Sequence, residues 1–156
     1  MTTDTKQLSL ALTAPFPADC IHWKPLSIKG NRALAVAFLD ARAVMQRLDS
    51  VFGVGGWRDS YVVADGGSVI CTLSVKVDGE WVCKTDVGSP SEQPDDGDKL
   101  KAAFSDSLKR AAIKLGIGRF LYRLPRQWVD FDPQTRQFVQ TPKLPAWALP
   151  AAKHSA

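Results

Sequence analysis

The spacing of apolar residues changes several times along the chain, and each change predicts a new element. In residues 5–13, Leu8 and Leu12 stand one turn apart and predict the apolar side of a short helix. Pro15, Pro17 and Pro25 exclude one continuous helix after it, and Cys20 to Trp23 reads as a short extended element. Residues 33–39, ALAVAFL, read as a strand or an extended lead-in, with a helical opening also permitted by the alanines. From Asp40 the spacing of Val44, Leu48, Val51 and Phe52 predicts a helix, with Asp40 as its cap and Gly53, Gly55 and Gly56 as its stop.

After those glycines the period becomes two. Residues 57–63, WRDSYVV, read as a strand, and ADGG supplies a turn. Val69, Cys71, Leu73, Val75 and Val77 then fall on one face of a second strand. Asp78-Gly79 is a hairpin dipeptide, and EWVCKTDV returns as a third strand. The result is an antiparallel meander with one face to bury. A Pro-, Gly- and acid-rich crossing, GSPSEQPDDGD, leads to a long helix that begins near Asp98 and covers that face. At 100° per residue, Leu100, Phe104, Leu108, Ala111 and Leu115 fall within roughly 80° of arc and predict the sealing stripe. Ala102, Ala103, Ser105, Ser107 and Ala112 permit close approach by a neighbouring backbone or subunit. Ile113 falls well outside the stripe, where an oligomer would have a use for it. Gly116 terminates the helix and Gly118 allows a second bend. Beyond Pro125, Trp128, Phe131 and Phe138 are placed to pack a small appendage or hairpin, and the last ten or so residues read as weakly ordered. The fold class is α+β.

Composition bounds this picture. A chain of 156 residues, 45% apolar with five Trp and seven Phe, is long enough for one domain with a core and too apolar for global disorder. The net charge of +4 leans modestly toward an anionic partner. Its distribution says more: Asp78, Glu80, Asp86, Glu92, Asp95, Asp96 and Asp98 crowd one stretch, and Lys101, Lys109, Arg110, Lys114, Arg119, Arg123 and Arg126 crowd the next. No run of 18 or more apolar residues exists to cross a membrane. The polar start and three cysteines predict a reducing, cytoplasmic setting, with Cys71 as a buried thiol. His22 and His154 are far apart, the cysteines have no C-x-x-C spacing, and the glycines lack a P-loop ending. No cofactor, metal or bond-making chemistry is expected.

The basic helix holds the candidate chemistry. Arg110 and Lys114 form an i,i+4 pair along one flank, and Lys109 points nearly away from the stripe. Arg119, Arg123 and Arg126 carry the positive tract onward. Lys and Arg at this density suit a nucleic-acid backbone, since each can pair with a phosphate and release a counterion. The alternative is a solvated helix whose arginines pair with the acidic segment. Arg58 is a further groove candidate. Trp57, Tyr61 and Trp81 either stack bases or fill a core or subunit seam.

The helix ending in SVFG, the GGW turn, the meander, KTDVGS and DSLKRAAIKLGIGRFLY occur in one order over about residues 15–125. In that order they resemble the Rad52-like family of single-strand annealing proteins, and within it the bacterial DNA-damage-response, DdrA-like branch. The resemblance implies a ring-forming homo-oligomer that binds single-stranded DNA in a basic groove. It divides the chain into an N-terminal helix or arm (1–14), a binding and oligomerisation core (15–125) and a Pro-rich appendage (126–156). The family's Lys-Arg pair falls on Lys109 and Arg110. Its third basic residue falls on Ile113, with Lys114 next door, which implies either a changed groove or an intersubunit role for Ile113. Its arginine near the start of the preceding helix is best matched by Arg42, with a one-residue difference in spacing. For the DdrA-like branch the implied function is protection of DNA 3′ ends from nucleases in the damage response, by a nucleoid-associated cytoplasmic protein that is not an enzyme. A strand-annealing recombination mediator and an interaction oligomer with an acidic protein partner are the alternatives.

Overall fold

The computed structural model describes residues 2–92 and 94–151. Residues 152–156, with His154 and the end of the tail expected to be weakly ordered, lie outside the described residues, as does Gln93 in the acidic crossing. The chain forms two compact units: the described residues of Met1–Ala14 with Asp40–Gly118, and those of Pro15–Leu39 with Arg119–Ala156.

The first unit carries the predicted meander. Strands β3 (Trp57–Val63), β4 (Val69–Val77) and β5 (Glu80–Gly88) pair antiparallel in sequence order. Asp78 and Gly79 both take positive φ, +53° and +82°, as the two-residue β4–β5 turn requires. Helix α3 (Asp96–Ile113) covers β4 and β5, α2 (Ala41–Phe52) packs on α3, and α1 (Thr5–Thr13) packs on α2. Asp4 caps α1, and Asp40 caps α2 by accepting the Ala43 N–H at 2.9 Å. Arg47 of α2 donates to the carbonyls of Ala11, Leu12 and Ala14, so one guanidinium satisfies the open end of α1. Val69, Cys71, Leu73 and Val75 are buried as the alternation predicts. Burial pushes the Cys71 thiol up to about 11, which keeps it neutral and unreactive.

The sealing stripe of α3 differs from the sequence expectation. The buried residues are Ala103, Ser107, Leu108, Ala111 and Ala112, whereas Leu100 is exposed and Phe104 and Leu115 are half-buried. The cause lies in β5. A Cβ at Gly88 would stand 2.3 Å from the Ala103 carbonyl oxygen and 2.4 Å from the Ser107 nitrogen. Helix and strand therefore meet backbone to backbone, and the small side of the helix turns inward. Periodicity counts bulky residues and misses a contact made by their absence. The small residues do serve a neighbouring backbone, and that backbone belongs to the same chain.

In the second unit, β1 (Ile21–Lys29), β2 (Arg32–Leu39), β6 (Gln127–Asp132) and β7 (Gln137–Phe138) form one sheet in that order. Residues 33–39 are a strand because they have partners on both sides, β1 and β6, which overrides alanine's helical preference. The short element expected at Cys20 to Trp23 extends past Pro25, because β1 is an edge strand and its register shifts between Pro25 and Ser27. Phe131 and Phe138 meet edge to face at 5.3 Å in the expected hairpin.

Gly88→Ala should lower the melting temperature by several degrees, since overpacking a tight contact costs about 1–3 kcal/mol. Gly55→Ala, with nothing within 4 Å of the added carbon, is the control and should melt close to wild type. Thermal melts of both variants by circular dichroism make the comparison; equal melting temperatures would refute the close contact.

Candidate nucleic-acid interface

Charge segregation in the sequence is used first by α3 itself. Asp95 caps the helix by accepting the Asp98 N–H at 3.0 Å, and Asp96 and Asp98 occupy its first turn. Arg110 stands in its last turn. Acids at the N-terminus and bases at the C-terminus complement the helix dipole. At the C-terminus the Ile117 N–H reaches the Ala112 carbonyl and the Gly116 N–H the Ile113 carbonyl. These are the paired bonds of a Schellman ending, with Gly116 at φ +107°.

One flank of α3 is stitched to β5 around Gly88. The Asp106 carboxylate accepts the Ser89 N–H at 3.1 Å. One turn on, Arg110 Nε lies 3.3 Å from Asp86 Oδ1. A further turn on, Lys114 Nζ donates to the Thr85 carbonyl and sits 3.8 Å from Asp86 Oδ2. The Asp86 side chain is 20% exposed, and those of Arg110 and Lys114 are 50% and 49% exposed. Partial burial works to raise the Asp86 carboxyl, but the Val87 N–H, Arg110 and Lys114 outweigh it and hold it below the usual carboxylate range. The sequence alternative of an arginine paired to the acidic segment is realised here. One carboxylate serves two half-exposed cations.

The other predicted residues lie on other elements or on another side of α3. Lys109 is half-buried, about 100° around α3 from Arg110. Arg42 is exposed in the first turn of α2. Arg58 lies opposite Ser74, whereas Tyr61 lies opposite Cys71 and packs on Phe104 of α3 with centroids 4.7 Å apart. Arg58 therefore projects from the sheet face turned away from α3. There its guanidinium stacks 4.0 Å from the Trp81 ring centre, with Lys76 5.8 Å from the same ring. Tyr61 is a packing residue: burial and its bond to Asp59 push its phenol up. Arg119 and Arg123 belong to the 3-10 turn Arg119–Arg123 of the second unit, where Arg123 lies 5.1 Å from the Trp147 ring centre. Ile113 is half-buried.

The sequence does not show which cations Asp86 pairs with, because it reads there as one acid among many. Strand alternation was the available signal: Asp86 and Gly88 share the face of β5 that meets α3. Among the described residues, no group of three or more His, Cys, Asp or Glu is placed to hold a metal ion. No helix among them is long and apolar enough to cross a membrane.

The lowered carboxyl sets a pH dependence. Asp86 contributes stability that is fully present above its unfolded pKa of about 3.9 and is lost as pH falls through the lower folded value. Asp86→Asn should therefore melt below wild type at neutral pH, by a difference worth about 1 kcal/mol at most for half-exposed partners. That gap should close in acid, once the wild-type carboxyl protonates. Melts across a pH series check this; a gap that widens in acid would contradict it.

Most of the chain is matched by known proteins. The family described as "Rad52/22 family double-strand break repair protein" matches residues 4–137. The chain is 41% identical over 146 residues to the "Single-stranded DNA-binding protein DdrA" of Deinococcus deserti, covering 92% of this chain and 71% of that protein. It is 42% identical over 141 residues to the protein of the same name from Deinococcus radiodurans, covering 89% of this chain and 66% of that protein. With similarity along most of its length, the chain belongs to the Rad52/22 family, in the branch those DdrA proteins represent.

Proposed function

We propose that this chain binds single-stranded DNA through its phosphate backbone, without making or breaking a bond. The observation that carries this reading is the half-exposed Arg110 guanidinium, fixed on the α3–β5 seam in a chain whose relatives are named single-stranded DNA-binding proteins. An arginine so held offers a rigid fork to a phosphate, and every nucleotide has one, so binding is indifferent to sequence. Lys109 and Lys114 flank it on α3 and add charge from either side. Arg42 and Arg58 of the first unit, and Arg119 and Arg123 of the second, are candidates for separate, secondary phosphate contacts.

One subunit offers few cations. A ring of identical subunits repeats them, and weak contacts then add through effective concentration. A strand sequestered in such a groove is denied to a nuclease, so the finer proposal is protection of DNA 3′ ends during repair in the bacterial cytoplasm. A second reading has its own support, because Arg110 and Lys114 already engage a carboxylate. In that reading the flank receives an acidic protein partner.

Fluorescent single strands should bind at about 50 mM salt and weaken steeply as salt rises. Replacing Lys109 and Arg110 by alanine should weaken binding roughly tenfold or more, and flatten the salt slope by about 0.7 for each phosphate that is no longer neutralised. An assembled protein that binds no strand at low salt would refute the reading and leave the acidic partner. With a 3′ exonuclease, bound strands should be degraded more slowly; rapid pairing of complementary strands without protection would favour the annealing mediator instead.

A further inference from the structure

Asp86 sits where a competitor for DNA phosphate would sit, yet its contacts are those of a support. A competing carboxylate would face the terminal fork of Arg110, where both nitrogens present parallel N–H groups. Asp86 instead meets Arg110 through Nε, at 3.3 Å. The two terminal nitrogens of Arg110 have no hydrogen-bond partner among the described residues, and half of the side chain is exposed. The carboxylate is itself fixed. Oδ1 also accepts the Val87 N–H at 2.7 Å, and Oδ2 faces Lys114 at 3.8 Å. Lys114 is in turn bonded to the Thr85 carbonyl, so the carboxylate sits between a strand backbone and a tethered ammonium. Beneath them the Gly88 contact fixes the spacing of the strand and helix that carry these groups.

We propose that Asp86 is a positioning residue for strand binding: it holds Arg110 by Nε and presents both terminal nitrogens to a backbone phosphate. The proposal rests on the strand-binding reading above and adds to it which acid makes Arg110 effective. A free arginine side chain loses rotamer entropy when it captures a phosphate. An arginine already held at Nε has lost much of it before the strand arrives, so its phosphate contact is stronger.

This predicts an effect opposite in sign to simple electrostatics. Removing an acid from a DNA-binding surface should tighten binding if charge alone counts. Positioning predicts that Asp86→Ala binds single strands about three- to tenfold more weakly than wild type. Asp86→Glu keeps the charge but displaces the carboxylate by one methylene, and it should also bind more weakly; it serves as the test if the alanine variant does not fold. In an Arg110→Ala background, Asp86→Ala should cause no further weakening, because Asp86 acts through Arg110.

The measurement is fluorescence anisotropy of a labelled oligo-dT with the full chain and these variants, alongside their melting temperatures. Wild-type or tighter binding by Asp86→Ala overturns the proposal and makes Asp86 a competitor. Equal weakening with and without Arg110 also overturns it and assigns Asp86 to fold stability. Failure of the wild-type protein to bind any strand overturns the strand-binding reading and this proposal together, whereas strand binding that is insensitive to Arg110→Ala overturns this proposal alone.

Discussion

Strand β5 and helix α3 approach so closely that no side-chain carbon fits at Gly88, where a Cβ would lie 2.3 Å from the Ala103 oxygen. The contact sets the height of the helix above the sheet, and with it the reach of every side chain along that flank. Asp106, Arg110 and Lys114 span short distances to Ser89, Asp86 and Thr85 only because the backbones already touch. The polar seam is thus a consequence of a packing constraint. Glycine on the strand and Ala103 and Ser107 on the helix make this backbone contact, and the charged groups close over its edge.

That arrangement reconciles two uses of charge that compete in most proteins. Ion pairs at a half-exposed edge add little stability, and cations meant for a ligand are weakened when a protein acid neutralises them. Here the carboxylate is shared between two cations, and Arg110 meets it through Nε, which leaves the terminal nitrogens open. The same acid closes the seam and engages the guanidinium. Arg58, stacked on Trp81 on the other face of the sheet, belongs to a different surface. On the α3 flank, by contrast, Arg110 and Lys114 share one carboxylate.

The first unit was legible in the sequence because its signals are local. Asp40, Asp78-Gly79 and the alternation from Val69 each fix an element with neighbours in the chain. The second unit was less so, since its sheet joins β2 to β6 across nearly a hundred residues, and neither strand announces its partner. Pro25 concealed the length of β1, because an edge strand tolerates what a central strand would not. At the site, charge density pointed to α3 and family motifs to Lys109 and Arg110. The pairing of Asp86 was illegible for a physical reason: it depends on a contact made by a glycine two residues on, and apolar periodicity carries no mark for a side chain that is missing.

Whether a DNA phosphate rests on the terminal nitrogens of Arg110 while Asp86 keeps Nε is tested most directly by a structure of the protein bound to an oligo-dT strand, from electron cryomicroscopy. A phosphate oxygen should lie within hydrogen-bond distance of the Arg110 terminal nitrogens, with the Arg110–Asp86 contact intact. A strand lying instead along Arg58 and Trp81, or an Arg110 swung away from Asp86 to reach its phosphate, would contradict this.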